Sequence, residues 1–326
     1  MNAGISESAS SPSSVQFSAT ALELFRFQYR QNPIYQAYAN AMGKDPSRVS
    51  RIEEIPFLPI RFFKTQRIQT TAFEPELIFE SSGTTGTVSS QHLVKDAGLY
   101  RHSLLRGFQH FYGNPSAYCL LGLLPPNREK AKSSLAYMVD ELARQSGHPE
   151  SGFYLDYPDR LALTLRKLDS EGQRVLLIGV SFALLDFVSR QRLQLRQTIV
   201  METGGMKGRG KELTRAELHD LLREGFGVPV VHSEYGMTEL LSQAYASAHG
   251  KFLPVPWMLT LSGSEDDPAE VRRTGEGLLH FIDLANTYSC AFIASEDIGT
   301  VYPDGSFEVW GRLDRSDLRG CSLLVP

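Results

Sequence analysis

Seven consecutive Ser, Thr and Gly residues follow an apolar segment, Leu77–Phe79, that is typical of a β-strand. The run consists of Ser81, Ser82, Gly83, Thr84, Thr85, Gly86 and Thr87. Glycines let the backbone approach an anion closely, consecutive N–H groups form a concave nest around it, and the hydroxyls add donors. The run therefore predicts a phosphate-binding loop. A flexible Ser/Gly linker is the alternative.

A second segment, His232–Glu239, follows an apolar stretch, Val228–Val231, that predicts a short strand. It ends with Tyr235, Gly236, Met237, Thr238 and Glu239. The start of a helix is one interpretation, with Thr238 as the cap and Glu239 in the first turn. That interpretation leaves the tyrosine and the glycine without a role.

A third group of polar residues lies near the C-terminus. Asp297 belongs to the segment Ser295–Gly299, which connects two predicted strands, Ala291–Ala294 and Gly299–Tyr302. A carboxylate of this kind accepts two hydrogen bonds from a cis-diol well. Asp304-Gly305 predicts a hairpin turn, and Arg312 follows it with a planar fork of donors. A solvated loop carboxylate is the alternative for Asp297.

Two further segments contain glycine at the end of predicted strands. Thr198–Met201 leads into Glu202-Thr203-Gly204-Gly205, and Arg174–Val180 leads into Ser181. Residues 205–211 have Walker-A spacing, but Glu212 stands where a hydroxyl should meet Mg²⁺, so we interpret them as a basic surface loop. Gly179–Ala183 resembles a nucleophile elbow with Ala at its last position, which makes Ser181 a weak candidate for a hydrolase nucleophile.

Taken together and in this order, these motifs resemble those of the adenylate-forming superfamily. Its members include acyl-CoA synthetases, peptide-synthetase adenylation domains, luciferases and acyl-protein synthetases, which join a carboxylate to AMP. The resemblance runs from about Ala21 to the C-terminus and is greatest to the LuxE-type acyl-protein synthetases. The segment Ile55–Thr65 before the phosphate loop contributes to it.

The resemblance implies a site for ATP and Mg²⁺. Phosphate contacts come from the residue 81–87 loop and Thr238, Tyr235 stacks on adenine beside Gly236 and Met237, and Gly204 and Gly205 face the base. Asp297 takes both ribose hydroxyls, and Arg312 faces the ribose or the phosphates. Glu239 helps to hold Mg²⁺, which prefers hard oxygen ligands, usually one or two carboxylates with phosphate oxygens.

The C-terminal segment Arg319-Gly320-Cys321-Ser322 resembles the family's acyl-accepting cysteine, which implies that Cys321 receives the acyl group as a thioester. A thiol attacks as the thiolate; nearby arginines would favour that form and nearby aspartates would oppose it. The alternative is a small apolar residue that closes a strand. Cys119 and Cys290 lie within apolar segments and are interpreted as packing residues.

Two departures from the larger ligases keep other functions open. No lysine follows Thr87 closely, and the chain stops at Pro326, fourteen residues after Arg312, where the large ligases continue into a lid domain. We therefore expect no lid domain, which leaves open whether the protein adenylates unaided. The alternatives are an acid–CoA ligase, a non-adenylating nucleotide- or acyl-binding accessory protein, and a serine hydrolase that uses Ser181.

Apolar strands that alternate with helices of 10–15 residues must position these groups, which predicts an α/β fold with βαβ units. The resemblance implies the large N-terminal domain of the adenylate-forming fold, with an antiparallel β subdomain at about residues 275–326. Polar, glycine-rich turns at the ends of parallel strands mark the usual ligand-binding edge. Residues 1–18 are predicted to be a disordered tail, and residues 19–326 one domain.

Composition narrows the setting. The chain has 326 residues, a formal net charge of -4 and three cysteines with no C-x-x-C pair, which favours a reducing cytoplasm over a disulfide framework. With a pI near 6.1 and no long basic run, no nucleic-acid partner is expected. No segment predicts a membrane span. The expected partners are a carboxylic acid of the fatty type and an acyl-accepting protein, either a reductase or an acyl carrier.

Overall fold

The apolar runs that predict strands form the centre of a mostly parallel sheet. The structure, a computed structural model, describes residues 14–81, 89–126, 133–204 and 213–313. Within these ranges the helices are α1 (Ser14–Gln31), α2 (Pro33–Ala41), α3 (Phe62–Thr65), α4 (Ala97–Tyr112), α5 (Ser134–Ser146), α6 (Pro158–Ser170), α7 (Ser181–Arg190) and α8 (Arg215–Phe226). Within the same ranges the strands are β1 (Leu58–Pro59), β2 (Leu77–Glu80), β3 (Gln91–Val94), β4 (Cys119–Leu123), β5 (Gly152–Phe153), β6 (Val175–Val180), β7 (Thr198–Thr203), β8 (Val231–Tyr235), β9 (Ala244–Ala246), β10 (Leu253–Pro254), β11 (Met258–Gly263), β12 (Val271–Arg272), β13 (Gly275–Asp283), β14 (Phe292–Val301) and β15 (Phe307–Arg312).

The first sheet has the strand order β10-β9-β8-β7-β6-β4-β5. Neighbours from β8 to β5 pair in parallel, and β9 and β10 are antiparallel. Every residue of β4 and β6 is buried, as expected for parallel strands covered on both faces by helices. Because β7 and β8 pair in register up to Thr203 and Glu234, the residues that follow them emerge side by side at one edge.

Strand β8 differs from its prediction. The sequence predicts a strand over Val228–Val231, whereas β8 spans Val231–Tyr235. Pro229 has no N–H to contribute to a ladder, so pairing with β7 begins only after it. The ladder then continues into the polar segment, and Tyr235 ends a strand rather than following one.

The second sheet is largely antiparallel, with the order β1-β14-β13-β11-β12 and β15 paired to β14. Its strands β11 to β15 begin at Met258, and β1 joins one edge from much earlier in the chain. The sheet therefore starts before residue 275, the predicted start of the β subdomain. Strand β14 also corrects a prediction, because the two short strands expected at Ala291–Ala294 and Gly299–Tyr302 are found as one strand of 10 residues. A β-bulge next to Gly299 shifts the register between β14 and β15, so the strand continues through this segment.

The N-terminal helices pack on the second sheet. Helix α1 begins at Ser14, so residues 14–18 are helical and not part of a disordered tail as predicted; residues 1–13 lie outside the described residues. Helices α1 and α2 are separated at Asn32-Pro33, where Asn32 Oδ1 accepts a hydrogen bond of 3.0 Å from the Tyr35 N–H and caps α2. No described helix combines the length and the apolar composition that crossing a bilayer requires.

Candidate active site

A cleft of about 370 Å³ opens at the carboxyl edge of the parallel sheet. Five of the predicted site residues line it: Ser81, Gly204, Gly236, Met237 and Thr238. Leu135 and Met138 from the first turns of α5 supply an apolar wall. The elements thus bring the predicted phosphate-loop stem, the β7 turn and the β8 segment to one cavity.

The hairpin β2–β3 carries the predicted phosphate loop. Ser81 and Ser90 close its stem, since the Ser81 N–H donates to the Ser90 carbonyl at 3.1 Å and the Ser90 N–H donates to Ser81 Oγ at 2.9 Å. Six predicted loop residues lie outside the described residues: Ser82, Gly83, Thr84, Thr85, Gly86 and Thr87. Their role stays a prediction, and the stem fixes where the loop leaves the sheet.

Tyr235, Asp297 and Arg312 come together although they are far apart in sequence. The Tyr235 hydroxyl donates to Asp297 Oδ2 at 2.6 Å, and Asp297 pairs across the strands with Arg312. The Arg312 Nε lies 4.0 Å from Asp297 Oδ1. Burial raises the pKa of Asp297, while the Tyr235 bond and the Arg312 charge oppose that shift. One carboxylate oxygen is therefore committed to Tyr235, and the other faces a loosely held guanidinium.

Tyr235 is half-buried and held by aromatic neighbours. Its ring stacks on Phe281 with centroids 5.4 Å apart, and Phe252 and Phe307 meet it edge-on at 5.7 and 5.3 Å. Burial and the charge of Asp297 raise the pKa of the phenol well above its usual range, so the hydroxyl remains a donor. Stacking on a base must use ring surface that Phe281 leaves uncovered.

Glu239 is buried, with 5 % of its surface exposed. The Ser90 hydroxyl donates to its Oε1. Burial raises the pKa of Glu239, and the Ser90 bond and the Arg312 charge act against it. Within the described ranges, no group of three or more His, Cys, Asp or Glu side chains is arranged to hold a metal ion. A cation beside Glu239 would therefore take its remaining ligands from hydroxyls, water or a bound phosphate.

The backbone around Thr238 forms a turn and not the start of a helix. The Leu240 N–H donates to the Met237 carbonyl at 3.1 Å. No helix follows Thr238 in the described residues up to 313. The helix-cap interpretation of Thr238 and Glu239 is therefore wrong. Both residues instead belong to a turn that leads away from β8.

Two residues that the motifs do not include brace this turn. His92 Nδ1 donates to the Thr238 carbonyl at 2.7 Å, and Asn286 Nδ2 donates to the Glu239 carbonyl at 2.8 Å. His92 Nε2 lies 3.1 Å from Asn286 Oδ1. Burial lowers the pKa of His92 to about 4, so the imidazole is neutral near pH 7. Neither residue has a sequence signal, because each stands alone in an apolar segment or a loop.

Glu234 lies between the residues of the second motif and was given no role from the sequence. The Thr203 hydroxyl donates to Glu234 Oε2 at 2.5 Å, and both residues line the cleft. Burial raises the pKa of Glu234 to about 7. A Cβ added at Gly236 would lie 2.7 Å from Glu234 Oε1, so the glycine makes room for this carboxyl group.

Ser181 occupies a buried position that does not suit a nucleophile. It is 0 % exposed, and its hydroxyl donates to Glu202 Oε2 at 3.1 Å. Burial acts to raise the pKa of Glu202, but the neighbouring His219 and Arg215, each 3.6 Å away, lower it overall. Ser181 thus binds a carboxylate and not an imidazole base, which removes the support for a hydrolase.

The Walker-A-like stretch at 205–211, which includes the predicted site residue Gly205, and Cys321 also lie outside the described residues. The other two cysteines are in the cores of the two sheets. Cys119 and Cys290 are each 0 % exposed, and burial raises their pKa values to about 11 and about 12. The prediction that they are packing residues is confirmed.

Solved structures resemble this arrangement of sheets and cleft. A crystal structure of 2-hydroxyisobutyryl-CoA ligase in the postadenylation state, in complex with 2-HIB-AMP, superposes with a TM-score of 0.67 at 13% identity, covering 92% of this chain and 68% of that one. ATP-bound MatB from Rhodopseudomonas palustris gives a TM-score of 0.54 at 16% identity over 74% of this chain. The match spans 49% of the MatB chain, about half its length. The predicted α/β fold, that of an adenylate-forming domain, is confirmed.

Sequence comparison identifies the family. The chain is 23% identical over 327 residues to the long-chain-fatty-acid–luciferin-component ligase of Aliivibrio fischeri, covering 92% of this chain and 85% of that protein. The model of the family described as "Acyl-protein synthetase, LuxE" matches residues 5–326. That match spans nearly the whole chain, from residue 5 to the last residue. This protein therefore belongs to the LuxE family of acyl-protein synthetases.

Proposed function

We propose that this protein activates a carboxylic acid with ATP as an acyl-AMP and passes the acyl group to a thiol. Its membership of the acyl-protein synthetase family over residues 5–326 carries the proposal. The geometry supports it, because Thr238 lines a cleft while Tyr235, Asp297 and Arg312 form one cluster. A fatty acid is the proposed substrate, by analogy with the Aliivibrio fischeri relative, whose name specifies a long-chain fatty acid.

In this proposal the nucleotide binds along the residues that the motifs predict. The loop after Ser81 and the Thr238 hydroxyl contact the phosphates, Tyr235 and the Gly204 turn contact the base, and Asp297 accepts from the ribose. Arg312 is 57% exposed at its side chain, 4.0 Å from Asp297 and 3.4 Å from Glu296. Exposed ion pairs of this kind are weak, so the guanidinium can exchange them for a phosphate.

Glu239 fits a magnesium ligand. It is a hard oxygen donor that burial has separated from water, and Mg²⁺ commonly takes one or two carboxylates with phosphate oxygens. The bound ion would neutralise charge on the triphosphate and on the departing pyrophosphate. The Ser90 hydroxyl and the brace from Asn286 hold Glu239 in place.

Acyl transfer then proceeds to Cys321. Its thiolate attacks the carbonyl carbon of the acyl-AMP, a C–S bond forms, the bond to the phosphate oxygen breaks, and AMP leaves with the electron pair. The thiol proton goes to solvent. A partner reductase or an acyl carrier is the proposed final acceptor, and a reducing cytoplasm is the setting that keeps Cys321 a thiol.

Labelling with a radioactive fatty acid tests this function. Incubation with ATP and Mg²⁺ should label the protein, and neutral hydroxylamine should release the label, because a thioester is cleaved under those conditions. Cys321→Ser should abolish the label and retain pyrophosphate release, since a serine hydroxyl is a far weaker nucleophile without a general base. Cys119→Ser, a buried cysteine, is the matched control and should keep the label.

The outcomes separate the alternatives. Full labelling of Cys321→Ser would contradict the acyl-cysteine step. Transfer of the acyl group to CoA instead of to the protein would favour an acid–CoA ligase. Nucleotide binding without pyrophosphate release would favour an accessory protein.

A further inference from the structure

Two of the residues that line the cleft are buried side chains with hydrogen-bond acceptors, which an alkyl chain cannot pair. Glu234 and Gln243 both line the cleft and are 6 % and 5 % exposed. Thr203 occupies Glu234 Oε2 with its hydroxyl. Glu234 Oε1 lies under Gly236, where only a glycine leaves space for it.

Gln243 Oε1 is the clearest sign that something is missing. It is buried, and no described residue donates a hydrogen bond to it. Buried amide oxygens are almost always paired in folded proteins, because an unpaired acceptor loses its hydrogen bonds to water without replacement. A ligand that brings a donor into the cleft would satisfy it.

The neighbouring carboxyl group can accept from the same donor. No described arginine or lysine forms an ion pair with Glu234, and its described contacts include the Thr203 hydroxyl and the backbone at Gly236. Both side chains lie within 4 Å of the position that a Cβ at Gly236 would take, so they are neighbours. A hydroxyl group can donate to Gln243 Oε1, and an amino group can donate to Gln243 and Glu234 together. A purely hydrocarbon substrate would leave Gln243 Oε1 buried and unpaired.

We propose that the acid activated in this cleft carries a hydroxyl or amino group that donates to Gln243 Oε1, and that an amino group donates to Glu234 as well. Leu135 and Met138, which line the same cleft, would contact the alkyl part of the acid. Gln243 and Glu234 are thus specificity-determining residues that select a substituted acid over the plain acid of equal length. This inference rests on the proposed function, because it names the substrate class of the same reaction.

ATP–pyrophosphate exchange with matched acids tests the selection. The panel is octanoic acid, its 2-hydroxy and 3-hydroxy derivatives, and its 2-amino and 3-amino derivatives. The wild type should use at least one substituted acid with a kcat/KM roughly 10-fold to 100-fold above octanoic acid, the factor that a hydrogen bond to a charged or buried polar group supplies. Gln243→Leu and Glu234→Gln should each reduce that preference.

Measuring the KM for ATP shows whether the acid or the adenine base donates the hydrogen bond to Gln243 and Glu234. Adenine also carries an amino group, so the KM for ATP is measured in both variants at saturating acid. An unchanged KM for ATP with lost acid selectivity supports the proposal. A raised KM for ATP with unchanged acid selectivity would overturn it and assign these acceptors to the base.

Folding and binding controls keep the result interpretable. Gln243→Leu removes an unpaired acceptor, so its Tm should stay the same or rise, whereas a structural role would lower it. Calorimetric binding of each acid to the wild type tests selection without turnover, and tighter binding of octanoic acid than of every substituted acid would overturn the proposal. Substituted acids that bind selectively without any exchange would contradict the proposed function and leave the inference standing.

Discussion

Asp297 is the residue on which the nucleotide proposal depends most directly. Tyr235 and Arg312 both reach its carboxyl group, and neighbouring Glu296 points to Arg312 from the other side at 3.4 Å. The two adjacent carboxylates thus share an arginine, but only Asp297 is bound to the tyrosine of the second motif. The hydrogen bond from Tyr235, and not the charge alone, distinguishes Asp297 from Glu296.

Asp297→Ala should weaken AMP binding by about 1.5–3 kcal/mol, the range for hydrogen bonds to a charged group. Isothermal calorimetry measures the effect. Glu296→Ala is the matched control, since it removes an equal charge one residue away, and its AMP affinity should change by less than about 0.5 kcal/mol. Equal affinities for the wild type and Asp297→Ala would remove the ribose role.

Glu234 predicts a specific dependence of stability on pH. Burial raises the pKa of Glu234 to about 7 in the folded protein, from an ordinary value of 4.5, so the folded state holds this proton more tightly than the unfolded chain. The stabilisation is complete below about 4.5 and is lost as the pH rises towards about 7. Glu234→Gln, which cannot ionise, should lack this loss.

Urea unfolding of both proteins between pH 4 and pH 8 measures it. The free energy of unfolding of the variant minus that of the wild type should rise through this window and then level off. His92, with its pKa lowered to about 4 by burial, changes stability in the opposite sense, but it is present in both proteins and cancels in the difference. Parallel curves would show that Glu234 does not titrate as described.

At the scale of elements, a β-bulge positions Asp297 opposite Arg312. The register between β14 and β15 shifts between Ile298 and Gly299. A Cβ at Gly299 would come within 1.8 Å of the Glu308 carbonyl oxygen, whereas one at Gly311 on the facing strand would meet nothing within 4 Å. The close approach of two backbones at Gly299 is thus what the bulge requires.

Gly299→Ala should lower the free energy of unfolding by about 1–3 kcal/mol, as overpacked sites do, and should weaken AMP binding. Gly311→Ala, the control on the paired strand, should stay within about 0.5 kcal/mol of the wild type in stability. Thermal unfolding and calorimetry provide the two measurements. Similar stability losses in both variants would mean that the bulge has no special sensitivity.

Local sequence patterns predicted the positions of helices and strands better than they predicted strand pairing and tertiary contacts. The capping box of Thr214 and Glu217 marks the start of α8, and the continuous apolar run Val175–Val180 is found as β6. The length of β14 was not predictable, because its polar centre is stabilised by pairing with β13 and β15, which a local pattern does not encode. The braces from His92 and Asn286 were missed for the same reason, since only the fold brings them to Glu239.

For the molecule as a whole, α1 connects the N-terminus to the active site. Gln28 is fully buried; its Nε2 donates to the Asn286 and Thr287 carbonyls, each at 2.9 Å, and its Oε1 accepts from the Ala291 N–H at 3.0 Å. The loop between β13 and β14 is therefore tied to a helix more than 250 residues earlier. Asn286, at the start of that loop, braces Glu239.

Gln28→Ala should cost about 2 kcal/mol or more of unfolding free energy, because it leaves buried backbone groups without partners. Pyrophosphate exchange should fall as well, since the brace on Glu239 loosens. Glu23→Ala, an exposed position on the same helix, should change neither. Thermal unfolding and the exchange assay measure both effects, and wild-type stability in Gln28→Ala would contradict the role of α1.

Because Cys119 and Cys290 are buried, acyl transfer to Cys321 can be detected in the native protein by thiol modification. With pKa values of about 11 and about 12 and no exposed surface, these two thiols are silent towards maleimide at neutral pH. Of the three cysteines in the chain, any that alkylates rapidly without denaturant must then be Cys321. Loss of that single modification after incubation with ATP and the acid would count acylated molecules in the unmodified sequence, by mass spectrometry and without a label.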